Sequence, residues 1–251
     1  MSEKFSLKSS HDAALAGPQT SSRRMWLKQM TATACGCGMV GSGLLNANTL
    51  LGEEPMQVPM PTTPQEALDL LYHGNERFSR GQSMAAHRDL DRVKAVARKQ
   101  SPFAAFLGCA DSRVPIEIVF DQGFGDLFVT RIAGNIASSE NIGSLEFGAQ
   151  ILGSKVIYVL GHSACGAVTA TMEGREVPGQ ISGLFQYIRP AVKVAKGDVE
   201  VAVRENVKNQ AMLIAESSPV ISRLVQKKEL IVAGGVYDLQ SGVVTPVEMS
   251  F

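Results

Sequence analysis

The spacing of apolar positions changes several times along the chain, and each change marks an element. Thr63-Pro64-Gln65-Glu66 has the form of a capping box with proline at the first helical position, and Ala67, Leu68, Leu71, Tyr72 and Phe78 follow at helical spacing. A second helix is predicted over 90–99. Residues 103–108 then form an unbroken apolar run, as expected of a strand buried on both faces. A turn or short helix over 114–120 and a second strand over 127–133 come next. Ser139 is placed to cap a helix that carries Ile142, Leu145, Ala149 and Leu152 on one face and stops at Gly153. A third buried strand covers 155–160. Residues 182–228 read as helical, broken near Gly197 and Ser218-Pro219. A further strand over 230–236 is followed by the Gln240-Ser241-Gly242 turn and a short partner over 243–247. Gly123, Gly125, Gly234 and Gly235 lack the spacing of a phosphate-binding loop and are expected in turns.

Strands separated by helices imply crossovers, so the predicted fold class is α/β, with a mostly parallel central sheet flanked by helices and an N-terminal helical arm. In such sheets, sites form in the crevice beyond the carboxyl ends of the strands. Two stretches lie in that position, each directly after a buried strand: Cys109-Ala110-Asp111-Ser112-Arg113 and His162-Ser163-Ala164-Cys165-Gly166. Cysteine and histidine are favoured zinc ligands, and three protein ligands with one open position is the pattern of a catalytic site. Cys109, His162 and Cys165 are therefore the candidate ligands of one Zn2+ per subunit. Water on such a metal can be acidified to a pKa of ~7, although two thiolates acidify it less than imidazoles would, so a helper group is expected. Asp111 is the candidate helper, and Arg113 can hold its carboxylate in a bidentate pair. Gripped by Arg113, Asp111 could orient the nucleophile; released, it could close the metal as a fourth ligand, and so stands among the metal-binding candidates too. His73 and His87 have no cysteine or carboxylate at ligand spacing and are read as structural.

Composition narrows the field. The 251 residues carry 24 basic and 24 acidic side chains, with no basic run interleaved with aromatics, so no nucleic-acid surface is indicated. The first fifty residues differ from the rest. Polar residues to Ser22 lead into Arg23-Arg24-Met25-Trp26-Leu27-Lys28 and then an apolar, glycine-rich run, a pattern that resembles a twin-arginine export signal. The domain reading is thus an export signal over 1–52, a proline-rich linker over 53–63 and a catalytic domain over 64–251. A periplasmic location follows, with membrane anchoring or a thylakoid-lumenal address as the alternatives if the segment is retained or routed differently. Two of the four cysteines, Cys35 and Cys37, lie in that segment. An exported chain left with Cys109 and Cys165 could instead join them in a disulfide, and a redox protein is a rival reading, although it lacks the close pairing of a dithiol catalyst. A non-enzymatic zinc site with Asp111 as permanent ligand is another.

At Cys109-x-Asp111-x-Arg113 followed by His162-x-x-Cys165, the chain resembles the beta class of carbonic anhydrases. The resemblance runs from about Thr63 to the C-terminus and includes Gly74-Asn75-Glu76-Arg77-Phe78, Arg131-Ile132-Ala133-Gly134-Asn135 and Gly235-Val236-Tyr237-Asp238. It implies a homodimer or higher homo-oligomer and reversible hydration of carbon dioxide to bicarbonate, with hydroxide on the metal as nucleophile. It also implies Asp111 and Arg113 as catalytic pair, Gln100 as donor to substrate oxygen, Phe128 lining an apolar substrate pocket and the Gly166 amide contacting bicarbonate. In the family the glutamine and phenylalanine face the neighbouring subunit's zinc. Members that close at low pH carry a tryptophan where Phe106 stands here, with Gly108 and Tyr237 matching, so closure by bicarbonate is open either way. Carbonyl sulfide or carbon disulfide would suit a similar pocket.

Overall fold

The computed structural model describes residues 60–249. The expected export signal over 1–52 and most of the expected linker lie outside them. Pro64–Ser79 form helix α1, opened by the anticipated box: the Thr63 side chain accepts from the Glu66 amide, and the Glu66 carboxylate accepts from the Thr63 amide. Helix α2 (Leu90–Val96) is shorter than expected and buries none of its residues.

Five strands make one sheet in the order β2-β1-β3-β4-β5: β1 (Ala104–Gly108), β2 (Leu127–Arg131), β3 (Val156–His162), β4 (Ile231–Tyr237) and β5 (Val244–Pro246). The first four are mutually parallel and β5 runs antiparallel to β4. Every residue of β1 and β3 is buried, which explains their unbroken apolar runs, whereas β2 is the half-exposed edge. Alternate side chains serve two cores. Phe106, Tyr158 and Leu160 face α1 and α3 (Ile116–Val119); Leu107, Ile157 and Val159 face α4 (Ser139–Glu146), α7 (Val199–Ser217) and α8 (Pro219–Gln226). A third cluster gathers Cys109, Cys165, Val168 and Ile188 where α5 (Gly166–Met172) and α6 (Ser182–Ala195) pack on α7.

Three local expectations are corrected. Helix α4 is preceded by Ser138, not Ser139, as its cap residue, and it passes into a π-helical turn over Phe147–Ile151. Gly234 and Gly235 lie inside β4, not in a turn. A Cβ on Gly235 would stand 2.3 Å from the Tyr158 hydroxyl, and one on Gly234 would stand 2.6 Å from a Val207 methyl, so both are glycine because neighbours from β3 and α7 fill the space. His87 does have a carboxylate partner, Asp126, with Nδ1 2.9 Å from its oxygens.

Candidate metal centre

Parallel pairing places the two ligand stretches side by side. Gly108, the last residue of β1, is opposite Leu160 of β3, so Cys109 and His162 emerge at the same rim. A Cβ on Gly108 would lie 2.4 Å from Ile116 Cδ1, so any side chain there would force Ile116 to shift. Beyond His162 the chain reverses through Ala164, held at φ +53°, which returns Cys165 toward the imidazole as the residue before α5. The Cys109, His162 and Cys165 ligand atoms all lie within 4.8 Å of one another, and all three residues are buried. The two thiols are free, so no disulfide joins them.

The donor set fits zinc. His162 Nδ1 sits 2.9 Å from the Ser163 carbonyl and donates to it, which fixes the tautomer and leaves Nε2 as the acceptor. Nε2 is buried and has no hydrogen-bond partner, the state expected of an imidazole nitrogen built to hold a cation. The hydrogen bond with Cys165 pulls the Cys109 thiol down, and the Gly134 amide, 3.4 Å from its sulfur, adds to that. Cys165 is raised by the same pairing and by burial. A divalent cation would hold both as thiolates.

Asp111 stands beside this set. Arg113 grips its carboxylate through Nε at 2.9 Å and Nη2 at 2.7 Å, and the Arg113 amide adds a third bond at 2.9 Å. The guanidinium hydrogen bonds hold the carboxyl far below the usual carboxylate range, so it is an acceptor at every physiological pH. Its Oδ2 comes to 3.9 Å from His162 Nε2, near the ligands without displacing them. Arg131, at the end of β2, donates to the Cys109 carbonyl at 2.9 Å and the Asp111 carbonyl at 2.6 Å, fixing the turn between ligand and helper.

Of the other expected site residues, Gly166 lies against the centre, with its position open to solvent. Gln100 and Phe128 do not reach it. Gln100 is exposed and precedes the amino end of β1, whereas Cys109 follows its carboxyl end; five strand residues span about 17 Å. Phe128 pairs with Ala105, also near that far end, and its ring lies 6.2 Å from Phe147. Phe106 is fully buried against Phe120 and Tyr158, and Tyr237 closes β4 opposite His162. Spacing gave no sign of Arg131, the Ser163 carbonyl or the Gly134 amide as supports of the centre. Two of these are backbone groups, which leave no mark in residue type.

A parallel sheet whose neighbouring strand ends bring two thiolates and an oriented imidazole together, with an arginine-held carboxylate alongside, defines a mononuclear zinc enzyme. The carbonic anhydrase family profile matches residues 104–244. Carbonic anhydrase 2 of Mycobacterium tuberculosis is 35% identical over 192 residues, covering 73% of this chain and 93% of that protein. A carbonic anhydrase of Mycolicibacterium smegmatis is 32% identical over the same shares. Among solved structures, a tetrameric beta-carbonic anhydrase from Sordaria macrospora superposes with a TM-score of 0.57 at 23% identity, covering 62% of this chain and 85% of that one. The chain belongs to the carbonic anhydrase family, in its beta class. Zinc-dependent hydration of carbon dioxide is its activity.

Proposed function

We propose that Asp111 and Arg113 are the catalytic pair of this hydration and that Cys109, His162 and Cys165 hold its zinc. The observation that carries the proposal is the three-bond grip of Arg113 on a carboxylate 3.9 Å from His162 Nε2. Zinc supplies Lewis acidity, bringing the pKa of water toward ~7. The chain supplies the rest. Asp111, permanently ionised, accepts a hydrogen bond from the water nucleophile at Oδ2 and so orients its lone pair toward carbon dioxide. Arg113 keeps that oxygen from turning inward as a fourth ligand, and Arg131 keeps the whole turn in place. The Gly166 amide contacts the bicarbonate product. Stopped-flow hydration by the zinc-loaded protein at mildly alkaline pH tests the reading, with Cys109→Ser as control; no hydration by protein with stoichiometric zinc rejects it.

The placement of Gln100 and Phe128 supports a homodimer or higher homo-oligomer, in which both would serve a neighbouring subunit's centre. For residues 1–52 we propose a twin-arginine signal, for 53–63 a linker and for 64–251 the catalytic domain, giving an exported, periplasmic enzyme. The Arg23-Arg24 pair and the run after it support this. Among the described residues no helix is long and apolar enough to cross a membrane. Replacing Arg23 and Arg24 with lysine should retain the protein in the cytoplasm; unchanged export would overturn the assignment.

A further inference from the structure

The loop between β2 and α4 passes the metal centre, and side chains from outside it bind its backbone at two points. The Ile132 amide bonds Gly108 O at 3.0 Å, and the Gly134 amide reaches Cys109 Sγ at 3.4 Å. Gly134 and Asn135 are consecutive residues at φ +76° and +43°, a left-handed pair of which only the first is glycine. Two side chains of α7 meet this loop from below. Asn206 Nδ2 donates to Gly134 O at 2.9 Å, and Gln210 Oε1 accepts from the Ala137 amide at 2.8 Å. The two amides are one helical turn apart and joined to each other, Gln210 Nε2 donating to Asn206 Oδ1 at 3.1 Å and also to Tyr187 O at 3.1 Å. Both are buried, Asn206 fully.

Buried amides on a helix that otherwise packs Val203, Val207, Ala211 and Ile214 into the core need a reason to be polar. Their partners give the reason: Asn206 Nδ2 holds the carbonyl of Gly134, whose amide faces the sulfur of a metal ligand, while Asn206 Oδ1 is braced by Gln210, which itself binds the loop at Ala137. We propose that Asn206, braced by Gln210, is a positioning residue for the metal centre, holding the Gly134 amide on Cys109 Sγ. This rests on the zinc reading of Cys109, His162 and Cys165. A hydrogen bond to a ligating sulfur withdraws electron density from the metal–thiolate bond and fixes the direction of the sulfur lone pairs, and loss of such an outer partner typically weakens metal binding about 10- to 100-fold.

The test uses the full protein with zinc or cobalt(II) loaded, comparing wild type with Asn206→Leu, which keeps the volume and removes the amide. Zinc transfer to an excess of a chromophoric chelator should be about tenfold faster in the variant. The near-ultraviolet thiolate-to-cobalt(II) charge-transfer band should move to lower energy, a signature that a merely packing role would leave in place. Zinc transfer within twofold of wild type together with an unmoved band, in a folded variant, overturns the proposal. If the variant does not fold, cadmium-113-substituted wild type decides: a scalar coupling between the Gly134 amide proton and the metal through sulfur supports the placement, and its absence overturns it. A wild-type protein that binds cobalt(II) with no thiolate charge-transfer band would instead overturn the zinc reading itself.

Discussion

Asp111 is a carboxylate that must stay close to a cation without binding it. Its distance from His162 Nε2, 3.9 Å, leaves it within a small rotation of the ligand set, and the Arg113 fork and backbone amide oppose that rotation. Replacing Asp111 with asparagine keeps the volume but removes the charge and one acceptor. We expect hydration, as kcat/KM, to fall by about a hundredfold or more, while zinc content measured on the same sample is unchanged. Loss of zinc alongside activity would place Asp111 among the ligands instead. The five residues of this centre were legible in the sequence because their chemistry is carried by residue type: two cysteines, a histidine and an Asp-x-Arg pair, each just past an apolar run. Asn206 and Gln210 were not, since a polar residue within a helical repeat reads as a solvent-facing one until the fold shows what lies opposite.

Between elements, the contacts that fix the scaffold are few and specific. Strand β4 approaches β3 and β5 so closely that Gly235→Ala would drive its methyl to 2.3 Å from the Tyr158 hydroxyl and 2.9 Å from Thr245 O. We expect a loss of roughly 1–3 kcal/mol, read from urea unfolding midpoints, with zinc stoichiometry retained. This crowding explains why the glycine pair was misread: its cause lies on neighbouring strands, far away in sequence. A second junction is electrostatic. Asp121, after α3, is fully buried and binds Arg77 of α1 at 2.8 Å, Arg88 at 3.4 Å and the amides of Met84 and Ala85. Burial alone would raise its carboxyl, but Arg77 and the two amides outweigh that and hold it below the usual carboxylate range. A carboxyl depressed in the folded state stabilises above its unfolded pKa of ~3.9 and loses that contribution as pH falls through the folded value. Asp121→Asn tolerates the same φ of +51°, so the backbone is preserved. The stability gap between wild type and variant should be full at neutral pH and narrow progressively below about pH 4; a gap independent of pH would mean that the charge is not what joins these elements.

For the molecule as a whole, the sheet separates two sets of residues that one reaction is expected to need together. Cys109 and Asp111 stand past the carboxyl end of β1 and His162 at the carboxyl end of β3, while Gln100 and Phe128 stand toward the amino end of β1, one of them on the half-exposed edge strand β2. A strand of five residues cannot fold back to join them, so if both sets act on one substrate, the second must come from another copy of the chain. Mixing tests this directly. One variant, Cys109→Ser, lacks a competent centre but keeps Gln100 and Phe128; the other, carrying Gln100→Ala and Phe128→Ala, keeps the centre and lacks the groups it needs. Each variant alone should be nearly inactive. After unfolding and refolding the two together in equal amounts with zinc, half the dimers pair unlike subunits, and in each of these one centre meets an intact Gln100 and Phe128. Activity should therefore return to about one quarter of wild type, as expected for random pairing within a closed two-fold dimer. Subunits that used their own Gln100 and Phe128 would give no recovery at all, because no chain in the mixture carries both sets.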